Sequence, residues 1–178
     1  MKAALAQLTP TPDPLEGCAR VRETIAARAG ADLVLFPELF VGGYASEGLE
    51  ARSLPADGPE LAAVAASCRE AGTAAVVGFT EALPGAPGRF ANAAACFDAA
   101  GGRAVYRKTH LFGPAEQSAF EPGGSLLLTR LADRAVGPQI CFDVEFPEPA
   151  RELARAGAEL LATIAANMEP YAADHRLA

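Results

Sequence analysis

The sequence predicts an α/β fold, and three observations support this prediction. Short apolar runs typical of buried strands alternate with segments of helical periodicity. The chain has 178 residues, of which 51% are hydrophobic and 21% are charged, a balance typical of a globular protein with a substantial core. No internal repeat, low-complexity tract or linker interrupts the chain, so we expect a single domain over residues 1–178.

The first half of the chain predicts three strands separated by two helices. Residues 2–8, 32–36 and 73–79 are compact apolar runs, and the helices begin at Pro14 and Pro59. Each helix has one apolar face, formed by Leu15, Cys18, Val21 and Ile25 in the first helix and by Leu61, Val64, Cys68 and Ala71 in the second. We expect these faces to be buried.

The second half predicts two antiparallel strand pairs. Residues 92–97 and 103–106 form the first pair, a hairpin, and residues 126–129 and 135–142 form the second. The chain then continues with a helix over residues 147–156 and a strand over residues 158–164. The mixture of elements supports the α/β prediction.

Charge and motifs exclude several classes of function. The net charge of -7 and the isoelectric point of about 4.9 disfavour nucleic acid as a partner, since phosphate contacts need clustered Lys and Arg. No apolar run approaches the ~20 residues that cross a bilayer, and Met1 leads into a strand-like segment rather than a signal peptide. We therefore expect a cytoplasmic protein with no membrane partner. Neither glycine-rich loop typical of nucleotide-binding domains occurs.

The 4 cysteines are candidates for a reactive thiol. No CxxC or Cys/His pair with zinc-site spacing occurs, so we expect no metal site. Cys18 and Cys68 fall on the apolar helix faces and are expected to pack in the core. Cys141 ends a predicted strand before a helix, where the sulfur can approach backbone N–H groups. Cys141 is therefore the candidate nucleophile.

Two charged residues follow strand-like runs in the same way. Glu38 lies in FPELF, where an apolar strand opens into a loop, and Lys108 lies in YRKTHLFG. Considered alone, each could be an ordinary solvated charge at a strand end. Each becomes a candidate catalytic residue only if it lies close to Cys141 in the fold.

The three segments, taken in order, resemble the signature of a known family. FPELF, YRKTHLFG and ICFDVEFPE are similar to the three motifs of the nitrilase superfamily of carbon-nitrogen hydrolases, in its amidase-like branch. KAALAQLTP, VVGF, GPAEQSAFEPG and ANMEPY extend the resemblance over essentially the whole chain. The resemblance implies an α-β-β-α sandwich. Family members continue beyond ANMEPY, so it also implies that this chain lacks the domain's C-terminal strands and helix.

The resemblance assigns roles to individual residues. It implies that Cys141 is the nucleophile, Lys108 the cationic partner and Glu38 the proton carrier. Glu116, in the loop after the lysine, and the backbone N–H of Phe142 are implied as supporting groups. Residues that line the pocket in similar proteins, each of which could equally serve packing or loop structure, are Tyr44, Phe112, Asn167, Met168 and Tyr171. The family pattern provides no proton-transfer role for His110 or His175.

The expected reaction is hydrolysis of a small linear amide through a thioester acyl-enzyme, without a cofactor. The nearest enzymatic alternatives are hydrolysis of an N-carbamoyl amine or of a nitrile. A noncatalytic binding module is the alternative from a different class. The resemblance further implies a homodimer or larger homo-oligomer where the family interface is intact.

Overall fold

The computed structural model describes residues 1–167, which form two β-sheets packed face to face with helices on their outer faces. The first sheet has the strand order β1-β2-β4-β5-β6, with β3 paired to β4, and the second has the order β7-β8-β9. The strands are β1 (Ala3–Leu5), β2 (Leu33–Leu35), β3 (Leu54–Pro55), β4 (Ala74–Ala82), β5 (Phe90–Phe97), β6 (Arg103–Arg107), β7 (Thr129–Leu131), β8 (Arg134–Ile140) and β9 (Leu160–Ile164).

The helices of the described chain are α1 (Pro14–Ala27), α2 (Pro59–Ala71), α3 (Gly113–Ala119) and α4 (Pro147–Arg155), with 3-10 helices at Leu49–Arg52 and Cys141–Glu145. Helix α1 begins where expected because the Asp13 side chain accepts hydrogen bonds from the Leu15 and Glu16 N–H groups. Helix α2 ends at Gly72, whose φ of 62° lies in the left-handed region that favours glycine. No helix among residues 1–167 is long and apolar enough to cross a membrane.

Helices α1 and α2 pack on one face of the first sheet. The predicted faces are confirmed for Cys18, Val21 and Ile25 in α1 and for Leu61, Val64 and Cys68 in α2, all of which are buried. Leu15 is 61% exposed, so its assignment to the buried face was wrong. At about 100° per residue, Leu15 is rotated by roughly a quarter turn from the mean direction of the other three residues in α1. Ala71, in the last turn of α2, is only half-buried.

A second core lies between the two sheets. Side chains such as Val76 and Cys96 from the first sheet meet Val136 and Ile140 from the second. Helix α4 covers the outer face of the second sheet so closely that a Cβ on Gly137 would lie 2.8 Å from the Leu153 Cδ1 atom. The layers therefore follow the order helix, sheet, sheet, helix, which confirms the predicted α-β-β-α sandwich.

The main differences from the sequence predictions are at element boundaries. Strand β1 is shorter than residues 2–8, because only three of its residues pair with β2. Strand β4 continues past residue 79 to Ala82, because β5 pairs with it from Ala75 to Ala82. The second antiparallel pair is confirmed, but its strands are Thr129–Leu131 and Arg134–Ile140 rather than residues 126–129 and 135–142.

Candidate active site

Glu38 is placed by a tight turn after β2. The turn lies against β4 at Gly78, where an added Cβ would lie 2.3 Å from the Pro37 carbonyl oxygen and 2.7 Å from the Glu38 Cα. Leu39 turns the chain with a φ of 48°, which is unusual for a residue with a side chain. The Glu38 side chain is fully buried. A glycine on the neighbouring strand therefore permits the approach of the acidic residue.

Lys108 lies directly after β6 and points into the same buried region. Its Nζ is 2.7 Å from the Glu38 Oε1 and 2.9 Å from the Glu116 Oε2. Burial alone would lower the pKa of Lys108, but the two carboxylates outweigh burial and raise it above the ordinary value. Lys108 is therefore a buried ammonium bridging two carboxylates.

Glu116 lies in the first turn of α3, so the prediction of a loop for this residue was wrong. Gly113 and Pro114 start this short helix in a segment that lacks a clear apolar period. The Glu116 carboxylate accepts a hydrogen bond from the Phe112 backbone N–H at 2.8 Å and another from the Tyr44 hydroxyl. Burial and then this hydrogen bond raise the pKa of Tyr44. Glu116 thus links the predicted pocket residue Tyr44 to Lys108.

Cys141 opens the 3-10 helix that follows β8. The residue has a φ of 44°, a left-handed conformation that costs energy for any residue with a Cβ and is often found at functional sites. Burial raises the pKa of the thiol to about 12, and the nearby negative charge of Glu38 adds to the shift, while Lys108 opposes it. The thiol is therefore protonated at neutral pH.

Two further groups hold the Glu38 carboxylate, and sequence reasoning missed both. Asn92 Nδ2 donates to Oε1 at 2.8 Å, and the Ala166 backbone N–H donates to Oε2 at 2.9 Å. The sequence feature that could have drawn attention to Asn92 is a lone amide side chain within the alanine-rich strand FANAAACF. Ala166 contributes only a backbone group, for which the sequence contains no signal.

Asp143 is a further buried acid at the site, and the sequence analysis did not single it out. It has no exposed surface and accepts hydrogen bonds from groups on both sides of the site, namely Tyr106 Oη (2.8 Å), Thr109 Oγ1 (2.9 Å), the His110 N–H (2.9 Å) and the Ile140 N–H (3.0 Å). His110 Nδ1 is also 3.0 Å from this carboxylate, and its ring stacks on Phe146 at 4.0 Å. Asp143 therefore ties the segment after Lys108 to the turn that carries Cys141.

The remaining predicted residues are distributed around this cluster. The Phe112 ring packs edge-on against Phe142 at 5.2 Å, and Asn167 is exposed after β9. Met168, Tyr171 and His175 lie outside the described residues. Within residues 1–167, no group of three or more His, Cys, Asp or Glu side chains is arranged to hold a metal ion.

Comparison with known proteins identifies the family. The profile of the carbon-nitrogen hydrolase family matches residues 2–178, so the chain belongs to this family of hydrolases. Among curated relatives, a hydrolase in the pqqF 5' region of Pseudomonas protegens is 42% identical over 96% of this chain and 61% of its own length. An (R)-stereoselective amidase from a Pseudomonas species is 36% identical over 100% of this chain and 65% of its own length. The chain thus spans somewhat less than two thirds of these relatives.

Solved structures of the superfamily share the fold. The crystal structure of an amidase from Nesterenkonia sp. superposes with a TM-score of 0.81 at 31% identity, covering 96% of this chain and 67% of that one. A mutant of the amidase from Nesterenkonia sp. AN1 carries the acetamide moiety of fluoroacetamide on its active-site cysteine, and it superposes with a TM-score of 0.80 at 31% identity over 96% of this chain and 67% of that one.

Proposed function

We propose that this chain carries an amidase site that hydrolyses the C–N bond of a small linear amide, with Cys141 as nucleophile, Lys108 as cationic partner and Glu38 as proton carrier. The observation that supports this most directly is that Glu38 and Lys108 are buried side by side, 2.7 Å apart. Cys141 is half-buried next to them, close enough for the charges of both residues to act on its thiol. Base, cation and nucleophile are thus available to one carbonyl group.

Acylation begins from a neutral thiol, because the raised pKa of about 12 leaves almost no thiolate at pH 7. Glu38 takes the thiol proton while Sγ forms a bond to the amide carbon and the carbonyl oxygen becomes an oxyanion. The Lys108 ammonium and the Phe142 backbone N–H stabilise that oxyanion. Glu38 then donates the proton to the leaving nitrogen, the C–N bond breaks, and a thioester and free amine or ammonia result.

In deacylation, Glu38 again carries a proton, this time from water to the sulfur. Glu38 removes a proton from water as the water oxygen attacks the thioester carbon, and the same two donors stabilise the second oxyanion. The C–S bond then breaks, Glu38 returns the proton to sulfur, and the carboxylic acid is released. Glu116 supports both steps by holding Lys108 between two carboxylates, with 2.9 Å between its Oε2 and Nζ.

Two similar proteins support an amide as the substrate class. The Pseudomonas relative is described as an (R)-stereoselective amidase, and the Nesterenkonia structures include an acetamide moiety bound covalently to the active-site cysteine. By that analogy we propose neutral carboxamides such as acetamide and butyramide as test substrates for this chain. We also propose that the active form is a homodimer or larger homo-oligomer, which light scattering on the purified chain would test.

The experiment combines turnover with mass detection on the full 178-residue chain. Ammonia release is measured over a panel of carboxamides, N-carbamoyl amines and nitriles, and rapidly quenched protein is analysed for an acyl group on Cys141. Cys141→Ala should abolish both signals. Cys68→Ala is the matched control, because Cys68 is also buried with a pKa raised to about 12 but lies in the helix-sheet core.

Each outcome has a distinct meaning. Turnover and an adduct that depend on Cys141 but not on Cys68 would support the proposal. If only N-carbamoyl amines or only nitriles are hydrolysed, the proposed substrate changes to that class, and the proposed roles of the three residues stay the same. A folded wild-type chain with no adduct and no turnover on the panel would contradict the catalytic roles and favour a binding module.

A further inference from the structure

We propose that Asn92 is a positioning residue for this reaction, whose side-chain N–H holds the Glu38 carboxylate with one oxygen directed at the Cys141 thiol. The inference rests on the proposed function, since it assigns Asn92 a role only if Glu38 moves the proton. Asn92 donates from Nδ2 to the Glu38 Oε1 at 2.8 Å, and both side chains are buried.

The two oxygens of Glu38 have different partners. Oε1 accepts from Asn92 at 2.8 Å and from Lys108 at 2.7 Å. Oε2 accepts from the Ala166 N–H at 2.9 Å. Among the described residues Oε1 thus has two donors and Oε2 has one, so Oε2 has a remaining lone pair that can receive the thiol proton.

Lys108 alone does not define this orientation. Its ammonium is shared between Glu38 and both oxygens of Glu116, at 3.0 Å from Oε1 and 2.9 Å from Oε2. An ammonium is a compact charge with rotatable donors, whereas a planar amide donates in a fixed direction. Asn92 therefore supplies the directional contact to Glu38, and Lys108 supplies the charge.

The other half of the Asn92 amide argues against a packing role. Its neighbours in β5, Ala91, Ala93 and Ala94, are fully buried, and the buried Asn92 Oδ1 has no hydrogen-bond partner among residues 1–167. Burying an unpaired carbonyl oxygen costs free energy that an apolar residue at this position would avoid. An amide in this environment is explained by what its N–H does for Glu38.

Thr80 provides a matched control. It pairs with Asn92 across β4 and β5 and is 1% exposed, and its buried hydroxyl has no partner in the described part of the chain. Directly opposite residues in antiparallel strands project to the same face of the sheet. Thr80→Val keeps the side-chain shape and removes only this hydroxyl, so the change should leave the geometry of Glu38 intact.

The test compares Asn92→Ala, Asn92→Asp and Thr80→Val with the wild type in the full chain, using the carboxamide on which the wild type is most active. Loss of a hydrogen bond to a charged group should lower kcat by roughly 10- to 100-fold in both Asn92 variants, with a smaller change in KM. Asn92→Asp should be the slower variant, since it puts a second carboxylate beside Glu38.

Simple destabilisation lowers the folded fraction but leaves kcat per folded molecule unchanged, whereas loss of positioning lowers kcat per folded molecule. Circular dichroism measures the folded fraction of each variant, and the near-isosteric Asn92→Asp preserves the test if Asn92→Ala does not fold. Asn92 variants with wild-type kcat per folded molecule, beside an active wild type, would overturn the inference alone. A wild type that forms no acyl adduct would overturn the proposed function and this inference with it.

Discussion

Gly78→Ala tests whether the approach of β4 to the Glu38 turn is required for the site. The added Cβ would lie 2.3 Å from the Pro37 carbonyl oxygen and 2.7 Å from both the Glu38 Cα and the Leu39 N. All three atoms belong to the backbone, so no side-chain rotation relieves the overlap. Restoring ordinary contact requires the turn and the strand to separate by about 1 Å.

The displacement should lower both the stability of the fold and the turnover. Overpacking of this kind destabilises a protein by about 1–3 kcal/mol, measured as a lower urea midpoint at unchanged slope. A misplacement of about 1 Å in a group that moves a proton costs on the order of 100-fold in turnover, measured as kcat for ammonia release. Gly78→Ala should therefore lose much more activity than its folded fraction explains.

Gly137→Ala is the control for overpacking. Its Cβ would lie 2.8 Å from the Leu153 Cδ1, at the contact between the second sheet and α4. It should lower stability by less than Gly78→Ala, because the overlap is with a side chain that can move, and kcat per folded molecule should stay within a few-fold of the wild type. A Gly78→Ala chain with wild-type kcat would refute the argument that the close approach of β4 positions Glu38.

Three further predictions concern the buried charges. Lys108→Met should destabilise the fold by about 3–5 kcal/mol in urea unfolding, because it leaves Glu38 and Glu116 buried without their cation. A loss below about 1 kcal/mol would show that the two buried carboxylates do not need the Lys108 ammonium for stability. Asp143→Asn should cost about 2–4 kcal/mol in the same assay, because an amide has only one oxygen to receive the donors that converge on this carboxylate; unchanged stability would contradict that count. Glu38→Gln should shift iodoacetamide labelling of Cys141 to lower pH. Burial and then the Glu38 charge raise the thiol pKa to about 12, and the neutral amide removes the second cause; labelling shifted to higher pH would contradict the sign.

The sequence by itself determined most of the local elements and identified three candidate catalytic side chains. Helix α1 could be predicted from Pro14 and an apolar face, and α2 from Pro59 and an apolar face, because proline signals and periodicity act within a few residues. Glu38, Lys108 and Cys141 were identifiable as residues at strand ends, and their order resembled the family motifs.

The tertiary structure decided which groups meet these three side chains. The hydrogen bond from Asn92 to Glu38 spans 54 positions, that from Lys108 spans 70, and that from Ala166 spans 128. Helical and strand periods describe only near neighbours, whereas such contacts depend on how strands are ordered and aligned in the two sheets. For this reason the sequence shows Asn92 only as a polar residue in an alanine-rich strand, and its contact with Glu38 became apparent when β5 placed the two side chains together.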